Sequence, residues 1–431
     1  MLAIGRGKER SRQLALASAC VYLSLLTKRG ETVSAQLPPT LNVTITGMRL
    51  VNPFLLASAP PTANIESIRK AFSLGWAGAV LKTITPSPES ICDASPRFAA
   101  LRANAGKVIG FENIELLSRK SLAYWKTAVC DLKHEYPDRA VIASIMAPTS
   151  RESWQDLARE LQDTPIDAFE LNFSCPHGMP ERGMGMAIGT DAELSARITE
   201  WVKAVSRVPV FVKLSPNVTD IAAIAKAVKT AGADGLAAIN TIQCLMGVDL
   251  DTFSPLPAVG GRTAFGGYSG RAVKPIGLRC VAQCKKATGL PIFAMGGIST
   301  WHDAAEYLAV GGDAVQVCTE VMLNGYAVIH DFLAGLQSYL AQKGFVSIAP
   351  LLGIALDKIV THQEVVSGTK RVPSLTADLC CDCGKCANIC AESGYQAIRR
   401  EEKGEWSIDP DACDGCGLCV LACPASAIVQ P

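Results

Sequence analysis

Eight cysteines near the C-terminus carry the plainest chemical signal in this chain. Cys380, Cys383, Cys386 and Cys390 are spaced C-x-x-C-x-x-C-x-x-x-C, and Cys413, Cys416, Cys419 and Cys423 repeat that spacing just before Pro424. Three thiolates two residues apart wrap a tight loop around one iron–sulfur cube, and the fourth, on the helix that follows, points back toward a second cube. The spacing therefore assigns Cys380, Cys383, Cys386 and Cys423 to one [4Fe-4S] cluster, and Cys413, Cys416, Cys419 and Cys390 to another. Zinc ribbons seldom place a third cysteine two residues on. A disulfide scaffold does not suit a tail attached to a large apolar chain. Cys381 interrupts the pattern and reads as a bystander. A chain with such a tail moves electrons.

A second set of reactive side chains stands where short apolar runs end: Ser58, Lys82-Thr83, Asn172-Phe173-Ser174-Cys175, Lys213, Asn240-Thr241, Gly296-Gly297 and Cys318-Thr319. Each has a bland explanation, since Ser and Thr open loops, Asn caps helices, and a lone cysteine is usually a small buried hydrophobe. Lysines and asparagines together at the ends of different runs are harder to dismiss, because a buried lysine needs an anionic or carbonyl partner. Gly296-Gly297 and Cys318-Thr319 offer backbone N–H groups to a phosphate. Beside two iron–sulfur clusters, a phosphate-bearing cofactor with a redox ring is the economical expectation, and FMN fits best. Cys175 opens a Gly- and Met-rich stretch that runs from Gly178 to Gly189. Such a loop can close over a substrate, and a thiol carried on it can give or take a proton. His177 reads as a residue that caps or orients that loop.

These residues need a scaffold that brings distant strand ends together. From Leu41 the chain alternates short apolar runs with longer amphipathic segments. Leu41–Val51 reads as a hairpin turning at Gly47; then come Pro53–Ala59, Gly78–Thr83, Val141–Met146, Ala168–Ser174, Val208–Ser215, Gly235–Asn240, Pro291–Gly297 and Ala314–Thr319. Short continuous apolar runs suit strands buried on both faces. The segments between them, including Ile65–Leu74, Ser153–Gln162, Asp191–Val205, Asp220–Ala231, Val273–Ala287 and Thr300–Leu308, read as helices. Asn64, Thr219 and Ser299 are the expected N-caps, and Gly232, Gly289 and Gly311 the expected stops. The pattern predicts a (β/α)₈ TIM barrel, whose active site lies at the C-terminal ends of the strands, followed by a small α+β domain. A doubly wound sheet is the runner-up, but no G-x-G-x-x-G stands between a strand and a helix. The usual nicotinamide site is therefore not expected here.

Over 431 residues the formal net charge is +1, which gives no electrostatic case for nucleic acid. No apolar run is long enough to span a bilayer. Lys8, Arg10 and Arg12 precede an apolar stretch, Leu14–Leu26, that superficially resembles a secretory signal. Its Ser, Ala and Cys content and the cytoplasmic assembly of iron–sulfur proteins favour a cytoplasmic chain with a helical or poorly ordered extension. Eight of the 17 cysteines lie before the tail and read, Cys175 apart, as reduced thiols. The expected divisions are an extension over 1–36, a barrel over 37–345, a linker over 346–371 and an iron–sulfur domain over 372–431.

From Leu41 to Val429 the chain resembles the flavin domain of dihydropyrimidine dehydrogenases joined to their C-terminal ferredoxin domain. The resemblance rests on Leu-Ala-Ser-Ala at 56–59, Leu-Lys-Thr at 81–83, Asn-Ile-Glu-Leu at 113–116 and Ala-Ser-Ile-Met at 143–146. It continues through Glu-Leu-Asn-Phe-Ser-Cys-Pro-His-Gly-Met at 170–179, Glu-Arg-Gly-Met-Gly at 181–185, Pro-Asn-Val-Thr-Asp-Ile at 216–221, Asn-Thr at 240–241 with Leu-Met-Gly at 245–247, Arg-Ala-Val-Lys-Pro-Ile at 271–276 and Gln-Val-Cys at 316–318. The resemblance implies that Ser58, Lys82, Thr83, Lys213, Gly270, Met295, Gly296, Gly297, Cys318 and Thr319 hold FMN. It implies that Asn113, Asn172, Phe173, Ser174, Asn240 and Thr241 meet a pyrimidine base. Cys175 would give a proton to the ring carbon beside the one that accepts hydride, in a reversible reduction of uracil or thymine. NAD(P)H and FAD would then act only through a partner subunit in a hetero-oligomer, because the N-terminal half of the long eukaryotic enzymes is missing and the chain looks like the catalytic subunit of the split bacterial form. Gln243-Cys244 stand where the family often has smaller residues, and Ala391, not Pro, follows Cys390. Two other readings compete: a dihydroorotate dehydrogenase, which shares the barrel and FMN, and a non-catalytic electron-transfer subunit.

Overall fold

The computed structural model describes residues 38–103, 106–365, 370–402 and 404–430, so the expectation for residues 1–36 lies outside the described residues. The chain divides between Lys358 and Ile359 into two compact units. In the first, eight parallel strands close into a barrel. They are β1 (Phe54–Leu56), β2 (Gly78–Val80), β3 (Ala140–Ile145), β4 (Ala168–Asn172), β5 (Val210–Lys213), β6 (Gly235–Ala238), β7 (Ile292–Ala294) and β8 (Ala314–Val317). β8 pairs with β1, Val315 opposite Phe54 and Val317 opposite Leu56, which closes the ring and leaves no edge.

The helices α1 (Ile65–Leu74), α2 (Leu122–Glu135), α3 (Arg151–Gln162), α4 (Ala192–Lys203), α5 (Ile221–Thr230), α6 (Lys274–Thr288), α7 (Trp301–Ala309) and α8 (Val328–Gln342) follow the strands in turn. Each start has a local cause. Asn64 accepts from the Ser67 N–H at 2.9 Å, and Asp220, rather than Thr219, caps α5 by accepting from Ala222 and Ala223. Asp carries its acceptor one bond further from Cβ than Thr does and brings a full charge to the helix dipole, and it is the Asp220 carboxylate that meets the first free amides. At α7 the cap is Thr300, one residue past Ser299, because Thr300 and Asp303 form a reciprocal capping box while Ser299 also donates to Asp303.

The hairpin Val43–Ile45/Met48–Leu50 turns at Thr46-Gly47 and runs into β1, burying Val43, Ile45 and Leu50. Inside the barrel the rings of Phe211 and Phe293 meet with centroids 4.5 Å apart, tilted by 42°. Any side chain at position 235 would run into the Phe211 ring, so Gly235 makes room for that layer. Above it the barrel interior turns polar.

One element was not legible from the strand pattern. The connection after β2 supplies the strands Phe98–Arg102 and Val108–Asn113; the connection after β6 supplies Ile242–Cys244 and Gly266–Ser269. They knit into one antiparallel sheet, with Gly267 opposite Asn113 and Ser269 opposite Phe111. In the second unit, two short helices, Lys385–Glu392 and Leu418–Ala422, pack with two small antiparallel pairs, Ser374–Leu375/Ile428–Val429 and Ile398–Arg400/Trp406–Ile408.

Candidate active site and cluster sites

The barrel mouth opens into a cavity of ≈ 1270 Å³, continuous with solvent. Its wall is built from strand ends and the loops just beyond them. Ser58, Lys82, Thr83, Asn172, Cys175, Lys213, Asn240, Thr241, Met295, Gly296, Gly297, Cys318 and Thr319 all line it, and the antiparallel sheet and its flank add Asn113 and Gly270. Phe173 and Ser174 do not. In an extended segment successive side chains alternate faces: Asn172 faces the cavity, while the Phe173 ring turns outward onto Trp154, 5.6 Å away. Ser174 is fully buried and reaches the wall only through its neighbours.

A chain of hydrogen bonds runs round the rim. Ser58 Oγ and Thr83 Oγ1 are 3.1 Å apart, Asn172 Nδ2 donates to Thr83 Oγ1 at 2.9 Å, and Ser174 Oγ donates to Asn172 Oδ1 at 3.1 Å. Asn240 Nδ2 donates to Ser174 Oγ at 2.8 Å, and Thr241 N donates to Asn240 Oδ1 at 2.8 Å. Each amide is thereby fixed in one orientation, which is what an amide needs in order to read a ligand's donor and acceptor pattern.

The cations on the wall all have carboxylates. Lys82 Nζ lies 3.1 Å from Glu115, which also meets Arg97 at 3.5 Å; Lys213 Nζ lies 3.4 Å from Glu170; and Arg271 lies 3.8 Å from Glu320. Glu170 is fully buried and also accepts from Gln316 Nε2 at 2.8 Å. Glu115, Glu170 and Gln316 lie away from the strand ends that the sequence pattern singles out. The signal was present, because Glu170 stands two residues before Asn172 and so shares its face of β4.

Cys175 is buried, and its thiol donates to the His177 carbonyl at 3.5 Å. Burial pushes this thiol up to about 11, only partly offset by Lys82 and Lys213, so it holds its proton at neutral pH. His177 is buried as well, which lowers its pKa and keeps the imidazole neutral; its Nε2 lies 2.7 Å from the Glu115 carbonyl and its Nδ1 has no hydrogen-bond partner among the described residues. The loop after Cys175 is folded down. Met179 and Met184 are buried with Cys175, Met146 and Leu117, and Thr149 donates to the Gly183 carbonyl at 2.9 Å.

At the opposite wall, none of the backbone N–H groups of Gly296, Gly297 and Ile298 meets an acceptor among the described residues. Gly297 has φ +75°, and a Cβ there would stand 2.8 Å from both the Gly270 carbonyl and the Lys274 nitrogen. Only glycine allows these two turns to touch. Free amides at a close-packed double turn suit an anion such as a phosphoryl group.

In the second unit Cys380, Cys383, Cys386 and Cys423 rim one cavity of ≈ 310 Å³, with Cys381 also on its edge. Cys390, Cys413, Cys416 and Cys419 rim another of ≈ 360 Å³. Ala397 N–H donates to Cys390 Sγ at 3.3 Å and Ala427 N–H to Cys423 Sγ at 3.2 Å, so the fourth cysteine of each run has matching support. Among the described residues no three such side chains converge on a single-ion position. Four cysteines around each cavity, three from one run and one from the other, are the donor set of a thiolate-held iron–sulfur cluster.

Fold and site together define a barrel oxidoreductase joined to an electron-transfer domain. Residues 40–340 match the dihydroorotate dehydrogenase family and residues 374–430 the 4Fe-4S dicluster domain. The chain is 38% identical to the chloroplastic dihydropyrimidine dehydrogenase (NADP(+)) of Arabidopsis thaliana, over 78% of this chain and 82% of the relative. It is also 38% identical to the NAD-dependent dihydropyrimidine dehydrogenase subunit PreA of Escherichia coli, over 84% and 88%. To the catalytic subunit of dihydroorotate dehydrogenase B (NAD(+)) of Pyrococcus abyssi it is 35% identical, over 73% and 99%. The chain belongs to the dihydroorotate dehydrogenase family, as a dihydropyrimidine dehydrogenase-like member carrying a 4Fe-4S dicluster domain. No helix among the described residues is long and apolar enough to cross a membrane.

Proposed function

We propose that this chain is the catalytic subunit of a dihydropyrimidine dehydrogenase, reducing the ring double bond of uracil or thymine and, in reverse, oxidising the dihydro base. The observation that carries this reading is the charge balance of the cavity. Each basic side chain on its wall lies against a carboxylate, Lys82 on Glu115 (shared with Arg97), Lys213 on Glu170 and Arg271 on Glu320, so none of these three cations stands alone to meet a charged substrate. Asn113, Asn172, Asn240 and Thr241 offer the paired donors and acceptors that the amide edges of a neutral pyrimidine require, with Ser174 holding two of those amides in register. A carboxylated ring such as orotate would enter with a charge that has to compete with Glu115, Glu170 or Glu320 for each cation on this wall among the described residues.

The free amides at Gly296–Ile298 and the Gly270 turn would hold the phosphate of FMN, with Ser58, Lys82, Thr83, Lys213, Met295, Cys318 and Thr319 around the rest of it. FMN supplies the two-electron hydride chemistry when bound. Reduction of the base needs one hydride on one ring carbon and one proton on its neighbour. Cys175 holds that proton, because its burial disfavours the thiolate. Lys82 and Lys213 favour the anion left behind, which keeps the transfer within reach. The folded loop from Pro176 to Gly189 excludes water while this happens.

Electrons would arrive through the two [4Fe-4S] clusters from a partner subunit that binds FAD and oxidises NAD(P)H, in a cytoplasmic hetero-oligomer. The test is turnover of the purified chain, with an artificial reductant, on uracil, thymine and orotate. Reduction of uracil or thymine well ahead of orotate supports the reading. Faster reduction of orotate replaces it with the dihydroorotate assignment.

A further inference from the structure

Tyr307 lies beneath the double-glycine turn that follows β7, on α7, and nothing in its chemistry is needed to fill space there. It is fully buried, yet its hydroxyl donates to the Gly296 carbonyl at 2.6 Å, with the Lys274 carbonyl 3.3 Å away. Burial raises its pKa far above that of a free phenol, so the proton stays on and the hydroxyl remains a donor. The room around it is cut to fit. A Cβ at Gly277 would meet the hydroxyl, and a Cβ at Gly296 would stand 3.1 Å from it.

We propose that Tyr307 is a positioning residue for phosphate binding, because its bond to the Gly296 carbonyl turns the Gly297 N–H into the cavity. This rests on the FMN reading above. The argument is the geometry of one peptide unit. In a planar trans peptide the C=O and the following N–H point in opposite directions. With the Gly296 carbonyl held down on the phenol, the Gly297 N–H faces the other way, toward the cavity that both glycines line. Glycines flank this peptide on both sides, at φ +126° and +75°, so little steric cost opposes its rotation. Rotated, it would present a carbonyl oxygen to an anion in place of an N–H. The same hydroxyl reaches the Lys274 carbonyl, and Lys274 N is one of the atoms against which Gly297 packs, so one phenol ties the β7 turn to the start of α6.

The experiment measures FMN and riboflavin affinity by flavin fluorescence quenching, on full-length chain freed of flavin, for wild type and Tyr307→Phe. Riboflavin has the same ring without the phosphate, so the ratio of the two affinities isolates the cradle. The proposal predicts that the ratio falls about tenfold in Tyr307→Phe, the scale of one buried hydrogen bond and the reoriented amide behind it, while riboflavin binding is unchanged. A ratio equal to wild type overturns it, even if the variant melts earlier. If wild type itself binds riboflavin as tightly as FMN, the phosphate reading fails independently of Tyr307. Should Tyr307→Phe not fold, Gly277→Ala displaces the hydroxyl while keeping the ring, and the same fall in ratio is required of it.

Discussion

Replacing Cys175 with alanine removes the proton that the reaction needs on its second ring carbon. The side chain is small and already neutral, and its one hydrogen bond among the described residues, to the His177 carbonyl at 3.5 Å, is a weak S–H···O contact. The loop stays anchored by Met179, Met184 and the Thr149–Gly183 bond. The loss should therefore fall on chemistry and leave the fold intact: about 10²–10⁴-fold in the rate of base reduction, or about 3–5.5 kcal/mol in barrier. The pH dependence is a sharper signature. A free cysteine ionises near 8.5, whereas burial pushes Cys175 up to about 11. Because the protonated form is the competent one, reduction should run level through neutral pH and decline only as pH rises toward 11. Cys175→Ser should be slow, since a hydroxyl gives up its proton far less readily than a thiol. The assay is anaerobic single-turnover oxidation of pre-reduced enzyme by uracil, followed by flavin absorbance from pH 6 to 10. An unchanged rate in Cys175→Ala, or a wild-type decline centred near 8.5, refutes the reasoning.

Cys383→Ser and Cys416→Ser should each lose iron and partner-driven turnover while keeping part of the activity with a small-molecule reductant, as read by iron analysis and parallel assays; equal losses with both electron sources would make the clusters structural. Lys213→Met leaves Glu170 buried with only Gln316 as partner among the described residues, which should cost about 3–5 kcal/mol in a denaturant titration of flavin-free protein; a change below about 1 kcal/mol would show that the pair is not held dry. The purified chain alone should oxidise NAD(P)H barely at all, given the missing dinucleotide fingerprint, and rapid NAD(P)H-driven turnover without a partner would contradict that.

The barrel was legible because its strands are buried on both faces, so each writes itself as a short apolar run, and because polar residues at the ends of those runs have no other reason to recur. Most helix starts were legible to within a residue, but α3 begins at Arg151, two residues before the expected Ser153, because Ser150 caps it. At α5 and α7 the competition between adjacent cap formers, Thr219 with Asp220 and Ser299 with Thr300, turns on which side chain reaches the first free amides in three dimensions. The antiparallel sheet that carries Asn113 was hidden for a different reason. Its strands come from connections far apart in sequence, and one of them, Gly266–Ser269, has two glycines and no apolar alternation. The cluster cysteines announced themselves by spacing alone, whereas Tyr307 lies in an ordinary helical pattern and gains meaning only from the carbonyl above it.

The proposed function requires that this cavity exchange electrons with a neutral pyrimidine. The most direct measurement is an anaerobic visible-spectrum titration of the oxidised, flavin-loaded protein with dihydrouracil and, separately, with dihydroorotate. Dihydrouracil should bleach the flavin band, and dihydroorotate at the same concentration should leave it in place. Bleaching by dihydroorotate alone would contradict the proposed function.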